Sequence, residues 1–484
     1  MKKNIDLNNI KEFLPRHLNN EKKAKAKTLF YKNLALKMHK FYGGKITVMP
    51  KAGIFDINWF NVWYTPGVSA VSTAIRDNND ASFDLSNRPN LVAVVSDSTR
   101  VLGDGDCTPP GGLGVMEGKA MLMKYLGGVD AIALCINNRG EDGKPSADKI
   151  IDFVKMCAPS FGAINLEDIS QPNCYKVLDA LRKDCDIPVW HDDAQGTACV
   201  TIAGLINALK LARKKIEDCK IILYGAGAAN TTIAKFLMLM GADAGRIIIF
   251  DSVGTLHKNR EDLKAKPGSY KQWELCQTTN SQCLMTPDEA FMRADVLIAL
   301  SKPGPDIIKP QWISLMAGKA IVFACANPVP EIYPDTALCA GAYIVATGRG
   351  DFPNQVNNSL CFPGILKGVL LCRAKTITDT MALIAAKTIA KRARDIGISR
   401  ENILPLMTDI EVYALQAAEV AHAAQKEGVA RIKISYQEAY KKAKADILAA
   451  QSLTGKLMKE GFIKAPPANL IKETMQEVLK KIVG

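Results

Sequence analysis

Gly162-Ala163-Ile164-Asn165-Leu166-Glu167-Asp168-Ile169-Ser170 is followed, after a helix-like interval, by Ile187-Pro188-Val189-Trp190-His191-Asp192-Asp193-Ala194-Gln195-Gly196-Thr197. In each half a short apolar run, Ala163 to Leu166 or Ile187 to Trp190, leads into acidic residues. Two strands joined by one crossover helix run parallel and end on the same edge of a sheet. Glu167, Asp168, Asp192 and Asp193 are therefore expected at one edge, where their carboxylates repel one another unless a cation or a Lys/Arg offsets the charge. Acids flanked in this way by apolar strands point to a hard, oxygen-ligated metal, Mg²⁺ or Mn²⁺. The alternative is that they are helix caps and surface charges.

Toward the N-terminus the same alternation continues. Leu91 to Asp97 reads as a buried strand, Asp130 to Ile136 as a further strand and Ser146 to Met156 as a helix, which is an α/β pattern with a mainly parallel sheet. Arg100 precedes a Gly/Pro-rich segment, Gly103 to Gly112, that can approach a small ligand closely. Gly118-Lys119-Ala120 opens a helix. A lysine there is ordinarily solvated, but beside a metal and a substrate it can lose its proton near neutral pH and act as a base. Tyr64 stands just before the Pro66-Gly67 turn, which keeps it on a loop, where most tyrosines are packing residues. Residues 18–42 read as a lysine-rich amphipathic helix ended by Gly43-Gly44, and Gly44 to Val48 as a short strand.

Downstream, a helix from Ala198 to Lys214 hands over to a second domain. Lys220 to Tyr224 is a strand, Gly225-Ala226-Gly227-Ala228-Ala229-Asn230 a glycine turn, Thr231 to Met240 a helix, and Arg246 to Phe250 a second strand ending at Asp251. This is a dinucleotide fingerprint in its required context. Gly225 makes the tight turn, Gly227 lets the backbone approach a pyrophosphate, and Ala228, Ala229 and Asn230 enter the helix whose N-terminus binds that anion. Asp251, where ribose hydroxyls are read, favours NAD by repelling a 2′-phosphate. His257, Lys258 and Arg260 could offset that repulsion, so the choice between NAD and NADP stays open. Strands at Val296 to Leu300, Ala320 to Cys325 and Ala342 to Ala346 each end at a polar turn, among them Ala326-Asn327-Pro328. The amide-rich Asn354 to Asn358 follows, suited to carboxylate or carboxamide groups or simply to turn formation. The tail is helical: Thr378 to Arg394, Val412 to Glu427, Tyr436 to Gln451, and a last segment with Ile471, Met475, Val478 and Ile482 on one face, expected to dock on the body or on a neighbouring subunit.

A chain of 484 residues accommodates two to four domains. Its 13 cysteines include no Cys-x-x-Cys pair, so neither zinc ribbon nor disulfide framework is indicated. No apolar run approaches the length of a membrane span. Residues 1–10 lack the apolar stretch of a secretory leader, and the Lys/Asn-rich, acid-bearing end is unlike a mitochondrial presequence, which leaves the cytosol. The net charge of +13 invites a nucleic-acid reading, yet residues 1–50 carry +9 and residues 431–484 carry +6, leaving the rest near −2. Lysine-rich helical ends are ordinarily solvated faces, so no nucleic acid is expected as partner.

Tyr64-Thr65-Pro66-Gly67-Val68, Val115 to Ala120, Gly162 to Ser170, His191 to Ala198, Gly225 to Ala229, Ala326-Asn327-Pro328 and Gly348 to Gly364 follow one another as in the malic enzyme family. From Ala35 to Arg431 the chain resembles the shorter, prokaryote-like branch of that family. The resemblance implies an α/β fold with a helical/α/β substrate-and-metal domain over residues 1–200. A Rossmann-type, doubly wound dinucleotide-binding domain follows over 201–365, and a helical C-terminal region over 366–484. It implies oxidative decarboxylation of L-malate to pyruvate and CO₂ with reduction of NAD or NADP, aided by Mg²⁺ or Mn²⁺, in a homodimer or larger assembly. By motif position Glu167, Asp168 and Asp193 are the metal ligands, Lys119 the general base with Asp192 as its partner, and Tyr64 the general acid. Arg100, Asn327 and Asn358 fall where malate carboxylates are held, with Asn327 also at the cofactor. Departures are Asp104 where the family has an apolar residue, Pro110 where it has Glu, Asn230 at the last fingerprint position, and an extension after residue 434. The alternatives are a malolactic enzyme, which releases lactate without net cofactor reduction, and a lysine-rich nucleic-acid binder.

Overall fold

Runs of Val, Ile, Leu and Ala with almost no polar interruption suit strands covered on both faces, and they build two all-parallel sheets. The computed structural model describes residues 7–483; the first six residues, part of the stretch read for a leader, lie outside the described residues. The first sheet has four strands, β1 (Leu91–Ser96), β2 (Asp130–Cys135), β3 (Ala163–Leu166) and β4 (Val189–His191), in the order β2-β1-β3-β4. The second has five, β5 (Ile221–Tyr224), β6 (Ile247–Phe250), β7 (Val296–Ala299), β8 (Ala320–Ala324) and β9 (Ala342–Thr347), in the order β6-β5-β7-β8-β9. Every pairing is parallel, so all connections return through crossovers, mostly helical. β4 starts later than Ile187 because Pro188 has no N–H to give; its carbonyl still accepts the Ile164 amide at 2.8 Å.

Helix ends follow local chemistry. Ser146 and Thr378 cap Ala147–Cys157 and Asp379–Ile396 through their hydroxyls, and Gly43 and Gly128 close Asn20–Tyr42 and Leu113–Gly127 in the left-handed conformation. The helix after the glycine turn starts at Ala228 rather than Thr231, and the penultimate helix runs on to Lys459. The strand expected at Gly44 to Val48 is absent. Nothing pairs with it, and Val48 is 86% exposed.

The chain divides into two compact units, Pro50–Ala450, which holds both sheets, and Met1–Met49 with Gln451–Gly484. Compactness thus groups the two ends together, which the sequence-based division into 1–200, 201–365 and 366–484 keeps apart. Within the smaller unit Met475 and Val478 of helix Leu470–Val483 pack on Ala26, Phe30 and Leu34, so the last apolar face meets the N-terminal helix. That unit carries 18 Lys/Arg against 6 acids, net +12 of the +13. Among the described residues no helix is long and apolar enough to cross a membrane.

Candidate active site

Register decides which acids meet. Leu166 pairs with both Val95 and His191, so the residues just past them, Glu167 and Asp192, leave adjacent strands side by side. Neighbouring strands lie about 4.8 Å apart, close enough for strong repulsion between unscreened carboxylates. The charge that offsets them is Lys119. Its Nζ lies 2.5 Å from Asp192 Oδ2 and 3.0 Å from Glu167 Oε1, with the Phe362 ring centroid 4.8 Å away. Burial opposes the ammonium most strongly, yet Asp192, Glu167 and Asp193 outweigh it and hold the Lys119 pKa above that of an ordinary lysine.

Each carboxylate has its own support. Asn165, two residues before Glu167 and on the same strand face, donates to Glu167 Oε1 at 2.7 Å. Trp190 Nε1 donates to Asp192 Oδ1 at 3.1 Å, and Asn358 Nδ2 to Asp192 Oδ2 at 2.5 Å. Asp192–Gly196 forms a single wide helical turn of the kind that collects at functional sites. Gly196 has no alternative there, because a Cβ would lie 2.0 Å from Asp192 Oδ1. Asp168 sits at φ 53°, a strained conformation for a non-glycine residue. It is fixed by its own N–H to Asp193 Oδ2 at 2.7 Å and by the Arg100 N–H to its carbonyl at 2.9 Å. Burial, with Asp193 second, pushes the Asp168 carboxyl up to about 8, and burial likewise drives Glu167 and Asp192 upward.

Among the described residues no three acids, histidines or cysteines already converge as a metal-holding group. The donor set nevertheless suits a hard divalent cation. Glu167, Asp168 and Asp193 are all carboxylates, burial and the acids around them push Glu167 and Asp168 upward, and Asp168 Oδ2 is buried with no hydrogen-bond partner.

The loops beyond the strands bring in further residues. A Cβ on Gly103 would lie 2.6 Å from the Asn327 carbonyl oxygen, and one on Gly348 2.7 Å from Asn327 Nδ2, so glycines seat Asn327 between two loops. Arg349 Nη1 donates to the Pro328 carbonyl at 2.5 Å. Buried Glu331 accepts from the amides of Ser301 at 2.8 Å and Ala326 at 3.0 Å, stapling the loops after β7 and β8; burial raises its pKa. Tyr64 is placed otherwise. It follows the helix Trp59–Trp63, is 71% exposed, and lies in a segment, 50–64, with no buried residue.

At the glycine turn Gly225 has φ 110°, and a Cβ would meet the Leu300 carbonyl oxygen at 2.5 Å; Gly227 faces open space. Asn230 explains its own departure from the fingerprint, since it is buried and donates to the carbonyls of Gly225 at 2.8 Å and Tyr224 at 3.3 Å, bracing the turn from within. The backbone N–H groups of Ala228, Ala229 and Asn230 form the first helical turn, suited to an anion. Asp251 is heavily engaged. Oδ1 accepts from Val253 N, Gly254 N and Arg260 Nη1 at 2.8, 2.9 and 3.2 Å, and Oδ2 from Arg260 Nη2 at 2.7 Å. Its charge is offset by a buried guanidinium.

The supporting residues Asn165, Trp190, Phe362 and Glu331 were not foreseen from the sequence. Asn165, a lone amide inside an apolar strand, carried the one usable signal. His191 is also new: it is fully buried with neither ring nitrogen hydrogen-bonded, Nδ1 is 3.8 Å from Asp193 Oδ2, and burial holds its pKa below that of an ordinary histidine.

Residues 44–182 match the model of the malic enzyme N-terminal domain and residues 194–425 that of the malic enzyme NAD binding domain. The chain is 43% identical over 390 residues to an NAD-dependent malic enzyme of Geobacillus stearothermophilus, covering 80% of this chain and 78% of that protein. It is 39% identical over 412 residues to a bifunctional malic/malolactic enzyme of Bacillus subtilis, covering 84% and 96%. The crystal structure of Entamoeba histolytica malic enzyme superposes with a TM-score of 0.97 at 54% identity, covering all of both chains. That of the malic enzyme from Pyrococcus horikoshii superposes at 0.82 and 42%, covering 92% and 100%. With its acidic strand edge around Lys119, its glycine turn and these matches along most of its length, the chain belongs to the malic enzyme family.

Proposed function

We propose that this chain oxidises L-malate to pyruvate and CO₂ with reduction of NAD or NADP, working in the cytosol as a homodimer or larger homo-oligomer. The observation that carries the reading is a half-buried lysine held between Asp192 and Glu167 at the strand edge that also presents Asp168 and Asp193. Arg100, Asn327 and Asn358 hold the substrate carboxylates, and Asn327 also borders the nicotinamide. Gly225, Gly227 and the first helical turn after them take the pyrophosphate. Lys119 removes the C2 hydroxyl proton as hydride leaves C2 for the nicotinamide, and Asp192 keeps the amine aimed during that transfer. The resulting 2-oxo acid loses CO₂, and the Tyr64 hydroxyl protonates C3 of the enolate. Glu167, Asp168 and Asp193 would hold Mg²⁺ or Mn²⁺. Such a cation would lower the pKa of the C2 hydroxyl and, by neutralising the acids around Lys119, let its ammonium deprotonate near neutral pH.

The test is an initial-rate assay at 340 nm with malate, each cofactor, and Mn²⁺ or EDTA, with product identified by NMR. Pyruvate together with metal-dependent NAD(P)H supports the reading. A flat trace defeats it, and lactate without net reduction would identify malolactic chemistry instead.

A further inference from the structure

The matched family domain ends at residue 425, but residues 436–450, the part of helix Tyr436–Lys459 that belongs to the larger unit, pack into the same core as the helix that carries Lys119. Ala439, Ala443, Ile447 and Ala450 are its buried stripe. Tyr440 Oη donates to Glu411 Oε2 at 2.6 Å, and Lys444 pairs with the same carboxylate. Two residues beyond Lys444, Asp446 Oδ2 accepts from Lys367 Nζ at 2.7 Å, and the Lys367 side chain is only 3% exposed.

Lys367 is the knot of a larger tie. It also donates to Asn90 Oδ1 at 3.0 Å, while Asn90 Nδ2 donates to the Gly128 carbonyl at 3.1 Å. Gly128 closes the helix that carries Lys119, and a Cβ there would lie 2.7 Å from the Asp446 carbonyl carbon. Lys367 itself belongs to Phe362–Leu371, whose first residue faces Lys119. Gly127 completes the junction, since its Cβ would meet the Pro363 carbonyl oxygen at 2.9 Å. One buried ammonium therefore joins both helices framing Lys119 to the element beyond the matched domain. Buried ion pairs are often no more stabilising than well-packed apolar residues of similar volume. Stability alone is thus a weak reason for placing a lysine here.

We propose that Lys367 is a positioning residue for the reaction, through which helix Tyr436–Lys459 braces the two helices that set the place of Lys119. The proposal rests on the reading of Lys119 as base. It is tested in the full chain with Lys367→Met, Lys367→Arg and the apolar double variant Lys367→Met/Asp446→Leu, measuring kcat, KM, cofactor Kd and melting temperature. Lys367→Met is expected to lower kcat about tenfold or more, because small misplacements of a catalytic group are costly, while KM for malate and cofactor Kd stay within about threefold. Lys367→Arg should keep at least about a third of the parental kcat, and the double variant should regain melting temperature but not rate. A kcat within about twofold of the parent in Lys367→Met overturns the proposal, as does joint recovery of rate and melting temperature in the double variant, which would make the pair a stabilising contact only. Lys119→Ala is assayed in parallel. A parental rate there removes the premise, a failure separate from anything the Lys367 series reports.

Discussion

At the scale of single residues the site is a problem of charge compensation. Lys119 is the cation within contact of Asp192 and Glu167, so its removal leaves buried carboxylates without a counter-charge. Lys119→Ala should lower kcat for malate oxidation about a hundredfold or more while NAD(P) affinity, measured by fluorescence, stays near parental. Retention of about a tenth of the rate would show that another group takes the proton. A second residue-scale prediction concerns cofactor choice. Arg260 donates to both Asp251 oxygens and to both Asp262 oxygens, so an acid that would repel a 2′-phosphate is compensated. Arg260→Ala should cut kcat/KM for NADP about tenfold more than for NAD, since the bared carboxylate then faces the phosphate. Equal losses with both cofactors would mean that Arg260 only holds its loop. The motif residues Glu167, Asp168, Asp192, Asp193 and Lys119 could be picked out in the sequence. Trp190 could not, and Asn165 showed only as a lone amide in an apolar strand, because what they hold depends on strand register and on the turn after β4.

At the scale of elements the strands were legible because β1, β3 and β5 to β9 are buried on both faces and read as plain apolar runs. Boundaries shifted where backbone chemistry intervened, as at Pro188. The glycine turn was also legible, and its structure says why its first glycine is needed. At φ 110°, with the Leu300 carbonyl oxygen 2.5 Å from any Cβ, Gly225 tolerates no side chain. Gly225→Ala should cost about 1–3 kcal/mol from backbone strain alone and lower the melting temperature. Cofactor binding should weaken in the same variant because the first helical turn shifts. A variant melting and binding like the parent would show that the turn relaxes without cost. The strand expected at Gly44 to Val48 failed for a different reason: apolar content alone does not make a strand where no partner offers backbone hydrogen bonds.

For the molecule as a whole, the apolar residues left outside the core need an explanation. Phe55 and Ile57 are each 77% exposed and Tyr64 71%, and Ile54, Val62 and Trp63 nearby are also exposed. Exposed apolar residues grouped along one segment would suit an interface, and a two-fold partner would present the same residues in return. Covered in that way, Tyr64 would serve a site built on the other chain rather than its own. The sequence could not disclose such an arrangement, because periodicity reports burial without saying against which chain. Complementation measures it directly. Tyr64→Phe and Lys119→Ala, each nearly inactive, would be unfolded together and refolded as a mixture. If each site takes Tyr64 from one chain and Lys119 from the other, half the dimers are mixed and each has one intact site, so about a quarter of the parental activity returns. If both residues act within one chain, every site keeps a defect and the mixture is no more active than its parts.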